Sequence, residues 1–321
     1  MKKCSEFQAN NDEGEWQTVR KKTRKRELQR KTKKTTKGKA NFVYHIYEEK
    51  NNNCSTKDHS QIVQDLVDEI QSIILKLRRS EFFIELETIL QSGLDDSPTD
   101  LVCYGLGSLV SSNSTASKNC SYQVALACLL RQQFQIPTTL VFDPVLQEAD
   151  KEVLQKLNIQ ILDQNEGGKR IASAATLFFM PHCPMRLYSN LLWANWGDQL
   201  KSVYILGNSF EAYNDRIVDA KIREDPSNCI LRLLPLMYER VCSFAEKKNT
   251  QLPFGFAAFS DLSFIRFLAS TLQSRDGRQI LLSRPPEFST DFADISKEHE
   301  EFISDSSNLG DEVLSRPNIP T

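Results

Sequence analysis

His182 and Cys183 lie side by side in the run Phe178–Trp196, FFMPHCPMRLYSNLLWANW, between Pro181 and Pro184. An imidazole next to a thiol could support two kinds of chemistry. A Cys183 thiolate could attack an electrophile, with His182 as its base. It could instead be the axial ligand of a haem, because Cys183-Pro184 resembles the Cys-Pro dipeptide of haem-responsive motifs. The helix that follows would set its positive end beside Cys183, which lowers a thiol pKa. Pro184 suits the first turn of that helix. The plain alternative is a rigid turn around a buried cysteine. The helix itself is apolar almost all round, as buried helices are. It also carries Asn190 and Asn195, which need hydrogen-bond partners in a core. With Trp193 and Trp196 these amides would form either a ligand wall or ties between loops.

A second set of candidates is built on glycine. Gly105-Leu106-Gly107-Ser108 follows a short apolar strand and precedes a helix. Glycines there let a backbone approach a phosphate, and a helix start offers free N–H groups. Asp143 ends the next strand, where an acid can accept from ribose hydroxyls. The loop lacks the third glycine of the dinucleotide fingerprint, and Asp143 lies beyond the usual spacing. An adenosine-containing ligand such as S-adenosylmethionine or a dinucleotide fits these residues best. A tight turn with an Asp-Pro cap is the structural alternative. Asn208-Ser209 ends a later strand and should face the same edge as Gly105 and His182. Side chains converging from several strand ends are what a pocket requires.

These residues need a frame of alternating elements. Leu66, Ile70, Ile73, Ile74 and Leu77 fall on one helical face, and a second helix spans about Ser80–Gln91. Strands are predicted at Asp100–Tyr104, Thr138–Phe142, Ile159–Leu162, Ala175–Met180 and Ser202–Leu206. Helices are predicted at Tyr122–Phe134, Ala149–Leu157, Met185–Trp196 and Ile230–Phe244. Ser111–Cys120 reads as a polar insertion and Phe254–Phe267 as a further apolar segment. Strands alternating with helices imply right-handed crossovers and a mainly parallel sheet. The expected fold is α/β: three layers, Rossmann-like and doubly wound.

The ends of the chain differ in charge. Among 321 residues with a net charge of −2, Arg20–Lys39 is basic and holds Glu27 as its one acid. The C-terminus is acidic, from Asp291 to Glu312. Such blocks of like charge rarely fold alone. Residues 1–60 are therefore expected as a disordered basic segment, 61–284 as the α/β domain, and 285–321 as a disordered acidic tail. The basic stretch suits nuclear import or a solvated tail, and Trp16 is its one nearby upstream aromatic, so specific nucleic-acid recognition is not expected. No apolar run follows Met1 and none reaches the length of a membrane span, which predicts a soluble intracellular chain. The eight cysteines include no C-x-x-C pair, so a structural zinc site is not expected.

The runs VCYGLGSLVSS (Val102–Ser112), VFDPVL (Val141–Leu146), NEGGKR (Asn165–Arg170), LFFMPHCPMRLYSNLLWANW and ILGNSFEAY (Ile205–Tyr213) resemble, in order, the signature of the sensitivity-to-red-light-reduced (SRR-like) domain family. AFSDLSFIRF (Ala258–Phe267) resembles its closing segment. EWQTVRKK (Glu15–Lys22) is similar to the basic segment that opens its animal members. The resemblance covers roughly 65–268. The chain departs from the usual pattern in Ser111–Cys120 and at Gly167, where a second acid is common. The family implies a regulator of circadian clock input, clock-gene expression and haem biosynthesis, in nucleus and cytoplasm, working with protein partners. That link favours the haem reading of Cys183 and His182 over catalysis. The competing class is a Rossmann-like enzyme with an adenosine cofactor, such as a methyltransferase. The sequence shows no acid–base pair, metal cluster or nucleophile triad, so a non-enzymatic regulator is the expectation.

Overall fold

A computed structural model of the protein describes residues 58–242 and 255–287. The expected basic segment Arg20–Lys39 and the acidic residues from 288 onward lie outside the described residues. The described strands are β1 (Asp100–Tyr104), β2 (Thr138–Phe142), β3 (Gln160–Ile161), β4 (Thr176–Met180), β5 (Val203–Asn208), β6 (Met237–Val241) and β7 (Leu262–Phe267). They form one sheet in the order β3-β2-β1-β4-β5-β7-β6. The pairs β3–β2, β2–β1, β1–β4 and β4–β5 are parallel. β7 runs antiparallel to both β5 and β6. This is the expected doubly wound, mainly parallel sheet, with one reversed strand.

The helices are α1 (His59–Arg78), α2 (Glu81–Gly93), α3 (Ser114–Gln133), α4 (Glu148–Lys156), α5 (Met185–Ala194), α6 (Phe210–Arg216), α7 (Ala220–Glu224), α8 (Cys229–Leu233), α9 (Gly255–Ala258), α10 (Ala269–Leu272) and α11 (Arg275–Leu281). Because side chains alternate across a strand, each strand feeds two cores. Leu101, Cys103, Leu177, Phe179 and Leu206 pack with α1–α4. Val102, Tyr104, Phe178, Met180 and Ile205 pack with α5 and α8 on the other face. β4 is buried at every position, which explains its unbroken apolar sequence.

Local chemistry sets the element ends. Ser80 separates α1 from α2: its hydroxyl accepts from Phe83 N–H at 3.2 Å and donates to Leu77 O at 2.6 Å. The segment Ser111–Cys120 is not an insertion. Asn113 caps α3 by accepting from Thr115 and Ala116 N–H at 3.0 and 3.2 Å, and α3 runs from Ser114 for 20 residues. Its first turns are mostly exposed, so their polar sequence hid the helix. The helix expected over Ile230–Phe244 is also corrected. α8 stops at Leu233, Pro235 enters a 3-10 turn over Leu234–Leu236, and the chain continues as strand β6. Proline lacks the N–H that a helix interior needs, and β7 supplies β6 with a ladder.

The chain stays packed past residue 284. Trp193 Nε1 donates to Pro285 O at 3.0 Å, and the Arg284 guanidinium lies 3.9 Å from the Trp193 ring centroid. Among the described residues no helix is long and apolar enough to cross a membrane.

Ser80→Ala removes a cap and is expected to lower unfolding free energy by about 1 kcal/mol. Urea denaturation followed by circular dichroism measures this; an unchanged midpoint would show that the break between α1 and α2 does not depend on the cap.

Candidate functional site

The strand order reverses between β1 and β4. Their connections leave toward opposite faces, and a doubly wound sheet opens its binding crevice at that point, beyond the carboxyl ends of the strands. Here the crevice is filled. Cys183 is 2% exposed, and its thiol donates to Tyr104 O at 3.3 Å. Gly105 sits against the sulfur: a Cβ on Gly105 would lie 2.7 Å from Sγ, and its φ of +71° also favours glycine.

The sequence placed Cys183 at the start of α5, where the helix should lower its pKa. The opposite holds. Burial pushes the Cys183 thiol far up, and the Asp143 charge adds to the shift. Loss of hydration disfavours the thiolate more than the helix end favours it. In this arrangement Cys183 is a neutral, buried thiol.

The turn around it is held from β5. Asn208 Oδ1 accepts from His182 N–H at 2.8 Å, while its amide donates to Cys183 O at 3.3 Å and to Tyr213 Oη at 2.8 Å. Tyr213 donates to Cys183 O at 2.8 Å. Tyr188 donates to Met180 O and accepts from Asn208 N–H at 2.8 Å. Ser209 does face this edge, but its hydroxyl caps α6 by accepting from Ala212 N–H at 3.0 Å.

His182 adopts a φ of +55°, a conformation uncommon for a residue with a Cβ. Its part-buried ring meets Ala258 O at 3.1 Å through Nε2. A carbonyl can only accept, so Nε2 carries the proton and the neutral ring keeps its lone pair on Nδ1. Burial lowers the pKa; the Ala258 carbonyl, Asp261 and the Ala257 carbonyl raise it by less. Imidazole and thiol thus serve separate contacts, one at Ala258 and the other at Tyr104.

The glycine loop is likewise occupied by the protein's own groups. Gly107 N–H donates to Asp143 Oδ2 at 2.8 Å, and Val145 N–H donates to Asp143 Oδ1 at 3.0 Å. Leu109 N–H donates to Asp150 Oδ1 and Ser108 Oγ to Asp150 Oδ2, at 2.8 and 2.7 Å. Asp150 is fully buried. Carboxylates therefore stand where a bound phosphate would take these donors. The same holds at α6, where Glu239 Oε2 accepts from Phe210 and Glu211 N–H at 3.1 and 3.2 Å.

The NEGGKR loop lies against β1 and α5. Tyr104 Oη donates to Glu166 Oε2 at 2.6 Å, and Arg170 grips both Glu166 oxygens at 3.0 Å. Asn190 donates to Gly167 O at 2.7 Å. Asn195 accepts from Ala172 N–H and donates to Arg170 O, both at 2.8 Å. The two amides are ties between loops. Trp193 and Trp196 face the C-terminal segment, where their indoles donate to Pro285 O and Leu281 O. Tyr104, Asp150, Glu166, Tyr188 and Tyr213 belong to this edge and were not singled out from the sequence. Tyr104, Glu166, Tyr188 and Tyr213 did lie within the motif runs, and Asp150 did not.

This edge is built almost wholly from the signature runs, and residues 70–266 match a family model described as SRR1 domain. The chain belongs to the SRR1 domain family. It is 33% identical over 203 residues to Protein SENSITIVITY TO RED LIGHT REDUCED 1 of Arabidopsis thaliana, covering 62% of this chain and 68% of that protein. It is 32% identical over 172 residues to an SRR1-like protein of Mus musculus, covering 52% of this chain and 67% of the relative. An SRR1-like protein of Drosophila melanogaster is 30% identical over 146 residues, 44% of this chain and 51% of that one. No solved structure matches the chain. The SRR1 match includes the Gly105 loop, the Pro-His-Cys-Pro turn and Asn208, so this network lies within the matched residues.

The six cysteines among the described residues are all buried. With Cys4 and Cys54 replaced by serine, the native protein at pH 8 is expected to react slowly with a disulfide reagent and to yield six fast thiols on unfolding. Fast reaction of one native thiol, lost in Cys183→Ala, would contradict the neutral buried state. A second expectation concerns pH. A histidine pKa lowered on folding means the unfolded chain binds more protons, so stability falls as pH drops below about 6.5. Between pH 7.5 and 5.5 the wild-type Tm should fall more than that of His182→Gln. Equal falls would show that His182 does not titrate differently in the two states.

Proposed function

We propose that this chain is a regulatory protein of clock input and clock-gene expression that acts by binding protein partners rather than by catalysis. One relative's name refers to red-light sensitivity, which supports the light and clock half of the reading. The observation that carries the rest is the state of the carboxyl edge. Cys183, Asn208, Ser209, Asp143 and Asp150 are engaged with one another or with backbone groups. A catalytic edge would keep a base and a nucleophile free together; here His182 keeps a lone pair on Nδ1, but the thiol next to it is buried and neutral.

A role in regulating haem biosynthesis, and residence in both nucleus and cytoplasm, are part of this proposal. The haem link would run through partners, since an axial thiolate at Cys183 would have to leave its buried position beneath Gly105. His182 would be the more accessible ligand of the pair.

In cells from which the chain has been removed, a clock-gene reporter is expected to change period. Wild-type protein and folded Cys183→Ala should both restore it, and hemin titration should give the same Soret band for both. An unchanged rhythm would overturn the clock reading. Loss of rescue by Cys183→Ala, or loss of its Soret shift, would return the thiol to the centre of the function.

A further inference from the structure

While the switch point is filled, the neighbouring ends of β2 and β3 are open. A groove of about 820 Å³ lies there, within the size range of small-molecule sites. Its lining includes Phe142, Asp143, Lys151, Gln155, Leu162 and Asp163. Register gives this lining an order. Val141 pairs with Ile161 in parallel, and Leu162 N–H donates to Val141 O at 2.9 Å. Phe142 and Leu162 therefore come level just past the ladder, and Asp143 and Asp163 come level one residue further.

Phe142 and Leu162 are half-buried, each packed against the second core with part of its surface left over. Both line the groove and offer it apolar surface on which a base could rest. Just past the ends of β2 and β3 stand Asp143 and Asp163, on neighbouring segments that leave a parallel ladder whose backbone spacing is about 4.8 Å. Asp143 is held rigidly, since each of its oxygens accepts one backbone N–H. Each carboxylate oxygen has a second lone pair. Two such acceptors side by side match a vicinal diol.

Charge sets what the rest of the ligand is. The groove lining holds Asp143 and Asp163 against the single cation Lys151, and the buried Asp150 lies behind the loop. The loop N–H groups of Gly107 and Leu109, which could hold a phosphate, already bind carboxylates. A di- or triphosphate would meet like charge and no cradle.

We propose that the groove at the carboxyl ends of β2 and β3 binds a phosphate-free nucleoside with a neutral or cationic 5′ substituent, its ribose diol on Asp143 and Asp163 and its base on Phe142 and Leu162. The site is independent of the regulatory reading, and a ligand there would make the regulator responsive to a metabolite.

Full-length protein is titrated with adenosine, S-adenosylmethionine, S-adenosylhomocysteine, ATP and NAD+, by thermal shift and calorimetry. At least one of the first three should bind and raise Tm by several degrees, while ATP and NAD+ should not. Asp163→Asn is an exposed change that should weaken binding tenfold or more. Gln155→Trp, also exposed, should fill the groove and abolish binding. Both variants should melt within about a degree of wild type without ligand, and circular dichroism checks their folding. Absence of binding by every phosphate-free nucleoside would overturn the proposal. Binding of ATP or NAD+ at equal strength, or nucleoside binding untouched by both variants, would overturn it too.

Discussion

The Asn208 side chain is the junction on which the carboxyl edge depends. It joins the end of β5 to the turn after β4 through two hydrogen bonds, to His182 and Cys183, and to α6 through a third, to Tyr213. That turn in turn places Cys183 beneath Gly105, at the end of β1. Three parallel strands are thereby tied at the one end where a doubly wound sheet is normally open. At about 1 kcal/mol per bond, freeing the Asn208 side chain alone costs about 3 kcal/mol. A ligand seated at the switch point would lose more than a hundredfold in affinity to that opening.

The same economy appears wherever backbone N–H groups gather. Asp143 and Asp150 occupy the glycine loop, and Glu239 occupies the start of α6. Each carboxylate gives rigidity to a loop that would otherwise wait for an anion. Charge-assisted bonds of this kind are stronger than neutral ones, so the loops are set before any ligand arrives. The helix end next to Cys183 shows the reverse balance. There the favourable dipole is present, but the thiol is buried too deeply to ionise.

The layered architecture was readable because strand and helix periods differ, and because β4 and β5 are apolar enough to require cover on both faces. The two errors in the elements have separate causes. α3 begins in water, so Ser114–Lys118 carries no apolar stripe, and only Asn113 marked its start. Ile230–Phe244 has helical spacing of apolar residues, and Pro235 was the sole sign that the helix must end. At the site, glycines, Asp143, His182, Cys183 and Asn208 all fall on the expected edge. Their partners were not legible. Whether Asp143 faces a ligand or Gly107 depends on a backbone path that side-chain types do not encode. Asp150 lies in the predicted Ala149–Leu157 helix, where nothing in its residue type marks it as the fully buried position that it is. Burial, the quantity that decides the state of Cys183, comes from the packing of segments distant in sequence.

Filling the switch point also changes where the fold can be used. Tyr104 is spent on Glu166, and Glu166 on Arg170, so the loop after β3 is pinned across β1 toward α5. This pinning covers the centre of the sheet's edge and leaves β2 and β3, its outermost parallel strands, with half-buried Leu140, Phe142 and Leu162. β3 has only two ladder residues, too few to recruit another strand by edge pairing. What remains there is a groove with an apolar floor and an acidic rim. The centre of the edge is thus committed to holding the domain together, and recognition of a small molecule is confined to the margin, where binding need not break a single bond of the Asn208 junction.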